Sequence, residues 1–207
     1  MCHWNYSLST LQLLTNTLNI NISPKKVKTR IHVWHLELTS RKAKIESKDS
    51  SYQLHKIENP FPEFNRFLYM TVGESCNWYL RRSWSWQQWQ ENIKQEMIET
   101  WVAHQGATPI GYFELEKQTD GSTKIAYFGL IPQFIGQGLG KALLEDAIKV
   151  SWSTTQQRIT LHTCTLDHPS ALPNYITRGF KIFQEEDFED MIPSKPLQPW
   201  EGAHKAI

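Results

Sequence analysis

The feature that most constrains the fold is an apolar strand, a glycine-rich turn and an amphipathic helix in immediate succession over residues 123–152. Every residue from 125 to 131 is apolar, which is typical of a strand buried on both faces. Gly136, Gly138 and Gly140 then alternate through the turn. Residues without Cβ let backbone N–H groups converge on a ligand that larger side chains would keep away. The order of these parts predicts a central strand that leads into an anion site.

The helix after the turn has one apolar and one charged face. Its apolar residues recur at spacings of three and four from Leu143 to Trp152, and its charged residues occupy the opposite face. The first-turn N–H groups of a helix have no intrahelical partner, and with the helix dipole they favour a phosphate at residues 138–141. The glycine spacing matches neither a Walker loop nor the dinucleotide fingerprint. A diphosphate ligand is predicted, and a turn that merely needs glycine is the plainer alternative.

Two stretches carry a resemblance to a known family. The sequence GLIPQFIGQGLGKALL at residues 129–144 resembles the acyl-CoA pyrophosphate loop of the GNAT superfamily of N-acetyltransferases. Gly138 and Gly140 match the superfamily pattern Arg/Gln-x-x-Gly-x-Gly/Ala, whereas Ile135 stands where Arg or Gln is usual. The sequence LHTCTLDHPSALPNYITRGFKIF at residues 161–183 is similar to the next elements of that fold. Together the two motifs resemble those of one group of bacterial GNAT proteins.

The resemblance covers about residues 30–186 and implies the α/β (α+β) GNAT fold, a mixed, mostly antiparallel central sheet with helices on both faces. Hydrophobic patterning and turn residues predict the individual elements. The predicted strands lie at 30–39, 52–57, 99–104, 110–117, 125–131, 158–165 and 180–183, and the predicted helices at 61–72, 85–97, 140–152 and 169–178. The predicted organisation is a poorly ordered extension at 1–29, one acetyltransferase domain at 30–190, and a proline-containing surface tail at 191–207.

Composition narrows the class of partner. The 207-residue chain has a formal net charge of +1 with its lysines and arginines spread along it, so neither nucleic acid nor a membrane is an expected partner. Polar residues interrupt the apolar N-terminal stretch, which therefore does not resemble a signal peptide. Three scattered cysteines suit a reducing compartment, and a cytoplasmic protein is expected. No metal is expected, because the histidines and Cys164 of the second motif lack a second ligand pair.

The coenzyme implied by the resemblance is acetyl-CoA, bound as a co-substrate. Main-chain groups of the central strand would contact the pantetheine arm, and the loop after it would hold the diphosphate. The residues that the resemblance implies are Phe128, Gly129 and Leu130 for the arm, and Ile135, Gly136, Gln137, Gly138, Leu139, Gly140 and Lys141 for the diphosphate. His168 falls where many members have an asparagine that contacts the coenzyme, and so it is assigned to coenzyme binding.

Acetyl transfer to an amine needs a proton donor for the leaving thiolate and an acceptor for the proton of the amine. Tyr175 matches the helix tyrosine of the superfamily, and a phenol with an ordinary pKa of about 10 can supply that proton at neutral pH. Glu114 is the first candidate for the base, because it lies in a strand next to the central strand. His162 and His168 remain alternative bases, since an imidazole titrates near working pH.

The acceptor side is predicted from a cluster of aromatic residues. Four of the nine tryptophans lie between positions 78 and 89, and this density indicates a ligand cleft or an interface such as a homodimer contact. Trp78, Arg81 and Trp84 are the candidate substrate residues, with Arg81 able to bind a carboxylate. The predicted function is transfer of an acetyl group to a primary amine, expected to be a small molecule, by direct attack in a ternary complex. The alternative is an acyl-CoA-binding regulatory protein without turnover.

Overall fold

The computed structural model describes residues 25–41, 51–74, 76–155, 157–195 and 198–200. Most of the predicted N-terminal extension and the end of the predicted tail lie outside these residues. Within them the strands are β1 Lys26–Leu38, β2 Gln53–Lys56, β3 Ile98–Gln105, β4 Thr108–Lys117, β5 Thr123–Leu130, β6 Ile159–Cys164 and β7 Lys181–Pro193, and the α-helices are α1 Pro62–Val72, α2 Trp86–Ile93, α3 Leu139–Thr154 and α4 Ala171–Thr177.

The strands form one seven-stranded sheet in the order β2-β3-β4-β5-β6-β1-β7. Neighbouring strands are antiparallel except β5 and β6, which are parallel. The predicted mixed, mostly antiparallel sheet is therefore confirmed. The parallel pair lies in the middle of the sheet, where β5 is followed by the glycine-rich turn and α3.

Helices cover both faces of the sheet, and β4 shows how its residues divide between them. Phe113 belongs to the main core with Leu143 and Leu144 of α3. Its neighbour Tyr112 packs instead in a second cluster that contains Leu68 of α1. Because successive side chains of a strand point to opposite faces, α3 and α1 lie on opposite sides of the sheet.

The first strand does not lie beside the second. β1 is inserted between β6 and β7, and it pairs with β7 from Lys26↔Pro193 to Glu37↔Lys181. The predicted strand at 180–183 was therefore too short, and the predicted tail from residue 191 begins too early, because the strand runs on to Pro193. β1 likewise begins at Lys26, inside the predicted extension.

Complementary charges explain why this acidic segment forms a strand. Lys28 contacts Glu189 at 2.6 Å, and Arg30 contacts Asp187 at 3.3 Å across the β1–β7 pair. Residues 184–190 by themselves offer little apolar surface to bury. β1 supplies both the backbone hydrogen-bond partners and the opposite charges that stabilise this segment as a strand.

α2 is shorter than predicted and begins in a capping box. The Ser85 side chain accepts a hydrogen bond from the Gln88 backbone N–H at 3.2 Å, and the Gln88 side chain accepts one from the Ser85 N–H at 2.8 Å. The helix ends after Ile93 rather than at Met97. The residues after Ile93 lead directly into β3, where hydrogen bonds to neighbouring strands take the place of further helical hydrogen bonds.

Candidate active site

The central feature of the site is a gap between β5 and β6. These parallel strands pair only at Thr123↔Ile159 and Lys124↔Thr160, and then they separate. A register shift against β4 leaves Ala126 as an extra residue in β5, and a bulge of this kind bends the strand that carries it. The separated strand ends open into a cavity of about 830 Å³. The main chain of β5 is thereby available to an extended ligand.

The predicted anion loop, residues 135–141, lies at one end of this cavity. Gly136 and Gly138 have φ angles of +84° and +77°, in the left-handed region that favours glycine. Gly138 is also the N-cap of α3, so the loop delivers the N-terminus of that helix to the cavity. An anion bound there would meet backbone N–H groups and the positive end of the helix dipole.

Most of the predicted coenzyme residues line the cavity, and two do not. Those that line it are Phe128, Gly129, Leu130, Ile135, Gly136, Gly138, Gly140, Lys141 and His168. Gln137 is absent from the lining and donates its side-chain hydrogen bond to the Gln133 carbonyl at 3.1 Å. Leu139 is buried in the main core below the loop. The predicted roles of these two residues use their main-chain N–H groups, so the side-chain positions leave that prediction as it stands.

Gly129 has a packing role in addition to its place in the lining. A Cβ at this position would lie 2.6 Å from Cγ1 of Val72 in α1. Such a distance requires a shift of the neighbour, so α1 can approach β5 closely only because residue 129 is glycine. The approach brings α1 to the edge of the cavity, which Val72 also lines.

Tyr175 lines the cavity from α4 and is otherwise buried. Its ring packs edge-on to Phe128 and Phe180, with centroids 6.3 and 6.0 Å away. Burial, and secondly the charge of Asp167, raises the pKa of Tyr175 above its usual value. The phenol therefore stays protonated at neutral pH, as a group that donates a proton to a leaving thiolate must be.

The predicted base and a predicted substrate residue bind each other. Arg81 donates two hydrogen bonds to Glu114, at 2.9 Å to Oε2 and 2.8 Å to Oε1, and both residues are buried. Neither lines the cavity. Burial alone would lower the pKa of Arg81, but the bond to Glu114 outweighs it and the pKa is raised. The structure thus corrects both assignments: the carboxylate has no free oxygen for an amine proton, and the guanidinium is not available to a substrate carboxylate.

The four tryptophans between positions 78 and 89 have different surroundings. Trp78 lines the cavity, as predicted for a substrate residue. Trp84 does not, because its ring lies beside the Arg81 guanidinium, 4.7 Å from ring centroid to Cζ; its assignment to the substrate is corrected. Trp89 is fully buried, and Trp86 is largely exposed. The density of aromatic residues in the sequence therefore reflects packing around a buried ion pair as much as a ligand cleft.

His162, one of the alternative bases, does line the cavity. It lies in β6 opposite His35 of β1, with ring centroids 6.0 Å apart. His162 is exposed in β6, and its pKa is lowered by partial desolvation first and by the positive charge of Lys124 second. An imidazole with a lowered pKa is neutral at pH 7 and can accept a proton.

Sequence patterns did not identify the far side of the cavity. Ile31 and Val33 of β1 and Phe188 of β7 line it, together with Tyr79 and Leu80 of the loop before α2. The alternation of β1 predicted a buried face but not what that face meets. Ile31 and Phe188 are register partners across β1 and β7, a contact that no local pattern encodes.

Metal-binding groups and membrane-spanning helices are two further features that bear on the class of site. No group of three His, Cys, Asp or Glu side chains in the described ranges is arranged to hold a metal ion. Among the helices that the structure describes, none is long and apolar enough to cross a membrane.

The comparisons with known proteins agree with this geometry. The family described as "Acetyltransferase (GNAT) domain" matches residues 73–198, which is more than half of the chain. Because of this match the chain belongs to the GNAT acetyltransferase family. No curated protein matches the sequence.

Solved structures show the same fold at low sequence identity. A GCN5-related N-acetyltransferase from Sphaerobacter thermophilus is 16% identical with a TM-score of 0.59, covering 93% of this chain and 59% of its own. One from Kribbella flavida is 12% identical with a TM-score of 0.56, covering 81% and 60%. A tandem GNAT protein of the clavulanic acid biosynthesis pathway is 13% identical with a TM-score of 0.53, covering 80% and 55%. This chain thus spans only part of the length of these structures.

Proposed function

We propose that the protein transfers the acetyl group of acetyl-CoA to the primary amine of a small molecule, by direct attack in a ternary complex. The observation that carries this proposal is the gap between β5 and β6, which ends at the glycine loop and the N-terminus of α3. An extended thioester can place its diphosphate at the loop and its pantetheine arm along β5. Its acetyl carbon then lies in the cavity, open to an amine from the far side.

The proposed reaction forms one C–N bond and breaks one C–S bond. The amine nitrogen attacks the thioester carbonyl, and His162 takes the proton that the nitrogen loses, in place of Glu114. The tetrahedral intermediate collapses and expels the coenzyme thiolate, which receives a proton from Tyr175. The products are the N-acetyl amine and free coenzyme A.

Direct attack is favoured over an acetyl-cysteine intermediate by the state of Cys164. This thiol lines the cavity, but burial raises its pKa. A thiol with a raised pKa is largely protonated at neutral pH, and the thiolate is the nucleophilic form. The amine is then the better nucleophile in the cavity.

Release of free coenzyme A thiol from acetyl-CoA in a screen of amines tests the proposal. Thiol release that depends on both amine and protein, with the N-acetyl product identified by mass, is the expected result. A protein that is stabilised by acetyl-CoA but turns over no amine would contradict the proposal and favour the alternative of a regulatory acyl-CoA-binding protein.

The proposed homodimer rests on the exposed part of the tryptophan cluster. Trp86 is 60% exposed, and an exposed apolar side chain of this size is common at protein contacts. Sedimentation velocity over a range of protein concentrations tests it. A mass that stays at 24.2 kDa throughout would contradict the dimer.

A further inference from the structure

One group of residues in the cavity lining is apolar. We define the acceptor wall as Ile31, Val33, Val72, Trp78, Leu80 and Phe188, all of which line the cavity. Ile31, Val33 and Val72 are buried, whereas Leu80 and Phe188 remain 68% and 43% exposed. From this wall we infer that the acceptor is an amine with an apolar tail that carries no carboxylate. The inference rests on the proposed function and specifies its substrate class.

A carboxylate on the acceptor would lack a cationic partner at this wall. Arg81 donates two hydrogen bonds to Glu114. The rings of Trp84 and Tyr127 lie beside its guanidinium, with centroids 4.7 and 4.3 Å from Cζ. The neighbouring Arg82 donates to the Gln198 carbonyl. Burying an ionised carboxylate without a partner is costly. Amines with a carboxylate at the end of the tail should therefore bind poorly.

The basic residues that do line the cavity lie elsewhere in it. Lys141 belongs to the anion loop, and His168 precedes α4 on the coenzyme side. Arg178 follows α4 and donates to Glu145 at 3.0 Å and to the Asn174 carbonyl at 3.1 Å. Within the described residues, His162 is the basic group closest in sequence to the open strand ends, and it is neutral at pH 7 because its pKa is lowered.

The acceptor wall is held in place before any acceptor binds. Trp78 packs against Tyr69 and Tyr127, with ring centroids 5.5 and 5.0 Å away. Two hydrogen bonds hold the loop just after Trp78. The Tyr79 hydroxyl donates to Asp190, and the Arg81 guanidinium donates to Glu114. A fixed apolar surface binds a rigid aryl or alkyl group at a smaller cost in side-chain entropy than a mobile one.

Matched pairs of amines test the inference through coenzyme A thiol release. The pairs are 2-phenylethylamine with 4-(2-aminoethyl)benzoate and hexylamine with 6-aminohexanoate, in which the added carboxylate lies at the end of the tail. For each pair we expect the apolar monoamine to have a kcat/KM on the order of 10²-fold higher, because its partner must bury an unpaired charge. Equal or reversed preference overturns the inference and leaves acetyl transfer standing. Turnover of no amine overturns the inference and the proposed function together.

A substitution in the acceptor wall sharpens this test. Leu80→Arg places a guanidinium on an exposed position of the acceptor wall, and we expect it to narrow the preference for 2-phenylethylamine over 4-(2-aminoethyl)benzoate by about 10-fold. Trp200→Arg is the matched control, because Trp200 is similarly exposed but does not line the cavity. An unchanged preference in Leu80→Arg, with acetyl-CoA binding intact, would overturn the location of the acceptor tail.

Discussion

At the scale of single residues, the chemistry of the site depends on a few atoms whose surroundings fix their protonation. The Tyr175 hydroxyl is held protonated by burial. Glu114, by contrast, is paired with Arg81 and unavailable. The same fold therefore keeps one ionisable side chain protonated in the cavity and pairs another with a buried arginine.

Tyr175→Phe tests the proton donor without removing the ring. We expect the single-turnover rate to fall on the order of 10²-fold with little change in acetyl-CoA affinity, because the packing against Phe128 stays while the proton is lost. Tyr52→Phe is the control, since the Tyr52 hydroxyl bonds Asp146 at 2.6 Å away from the cavity. A wild-type rate in Tyr175→Phe, with chemistry rate-limiting, would make Tyr175 a packing residue.

The pH dependence of kcat tests His162. Because the pKa of His162 is lowered below 6.5, its neutral, proton-accepting form is present above that pKa and is lost as the pH falls through it. We expect kcat for an amine at saturation to fall on the acid side with an apparent pKa below 6.5, and His162→Gln to remove this limb along with most of the rate. A limb that persists in His162→Gln would assign the titration to another group.

Gly138→Asp tests the anion loop. An aspartate there carries a negative charge to the N-cap of α3, where a diphosphate would bind, and we expect it to abolish the thermal shift caused by acetyl-CoA. Gly106→Asp is matched, because Gly106 also has a positive φ, +57°, with open space around its Cβ position, but lies in a turn outside the cavity lining. Both variants carry similar backbone strain, so only the first should lose the shift. Loss of the shift in both would mean that strain, rather than the loop, is responsible.

At the scale of elements, the Arg81–Glu114 pair fastens the loop before α2 to β4. The Arg81 backbone N–H also donates to the Tyr69 hydroxyl of α1 at 3.1 Å. The loop that supplies Trp78 and Leu80 to the cavity is thus fixed to two elements of the same face. Its conformation is a property of the folded domain rather than of the loop sequence.

Glu114→Gln separates this structural role from a catalytic one. Leaving Arg81 buried without its carboxylate should lower the free energy of unfolding by about 3 kcal/mol, which urea denaturation measures. The double variant Glu114→Gln with Arg81→Met should recover part of that loss, since no unpaired charge remains. A stability like that of the wild type combined with a slow chemical step would restore Glu114 as the base.

At the scale of the whole molecule, the two ends of the described chain lie side by side in the sheet. β1 and β7 are the first and last strands, and they pair over almost their full lengths. β7 forms an edge of the sheet, and its run of carboxylates is of the kind that discourages pairing with another chain. The far side of the cavity is assembled only when these strands meet.

Stabilisation by acetyl-CoA is the prediction at this scale. A ligand that binds only the folded state at a hundredfold excess over its Kd adds about 2.7 kcal/mol. For a domain of this size we expect Tm to rise by about 5–10 °C. Thermal unfolding with acetyl-CoA, coenzyme A and ATP distinguishes the site, because the first two share the pantetheine arm and ATP does not. Equal Tm shifts from all three ligands would mean that the site binds only their phosphate groups and does not contact the pantetheine arm.

The sequence by itself determined the parts of the protein that depend on neighbouring residues. The apolar run of β5, the alternating glycines and the amphipathic pattern of α3 are local, so the strand, the loop and the helix were all predictable. The glycine spacing also indicated an anion site. Its backbone groups come from consecutive residues, and their arrangement follows once the strand and helix form.

The tertiary structure alone decided what depends on residues far apart in the chain. The position of β1, the length of β7 and the pairing of Arg81 with Glu114 all arise from contacts between separate elements. The acceptor wall brings Ile31 next to Phe188 in the same way. Hydrophobic periodicity records which face of an element is buried but not its partner. The sequence therefore predicted the glycine loop at the start of α3, whereas the far side of the cavity required the folded sheet.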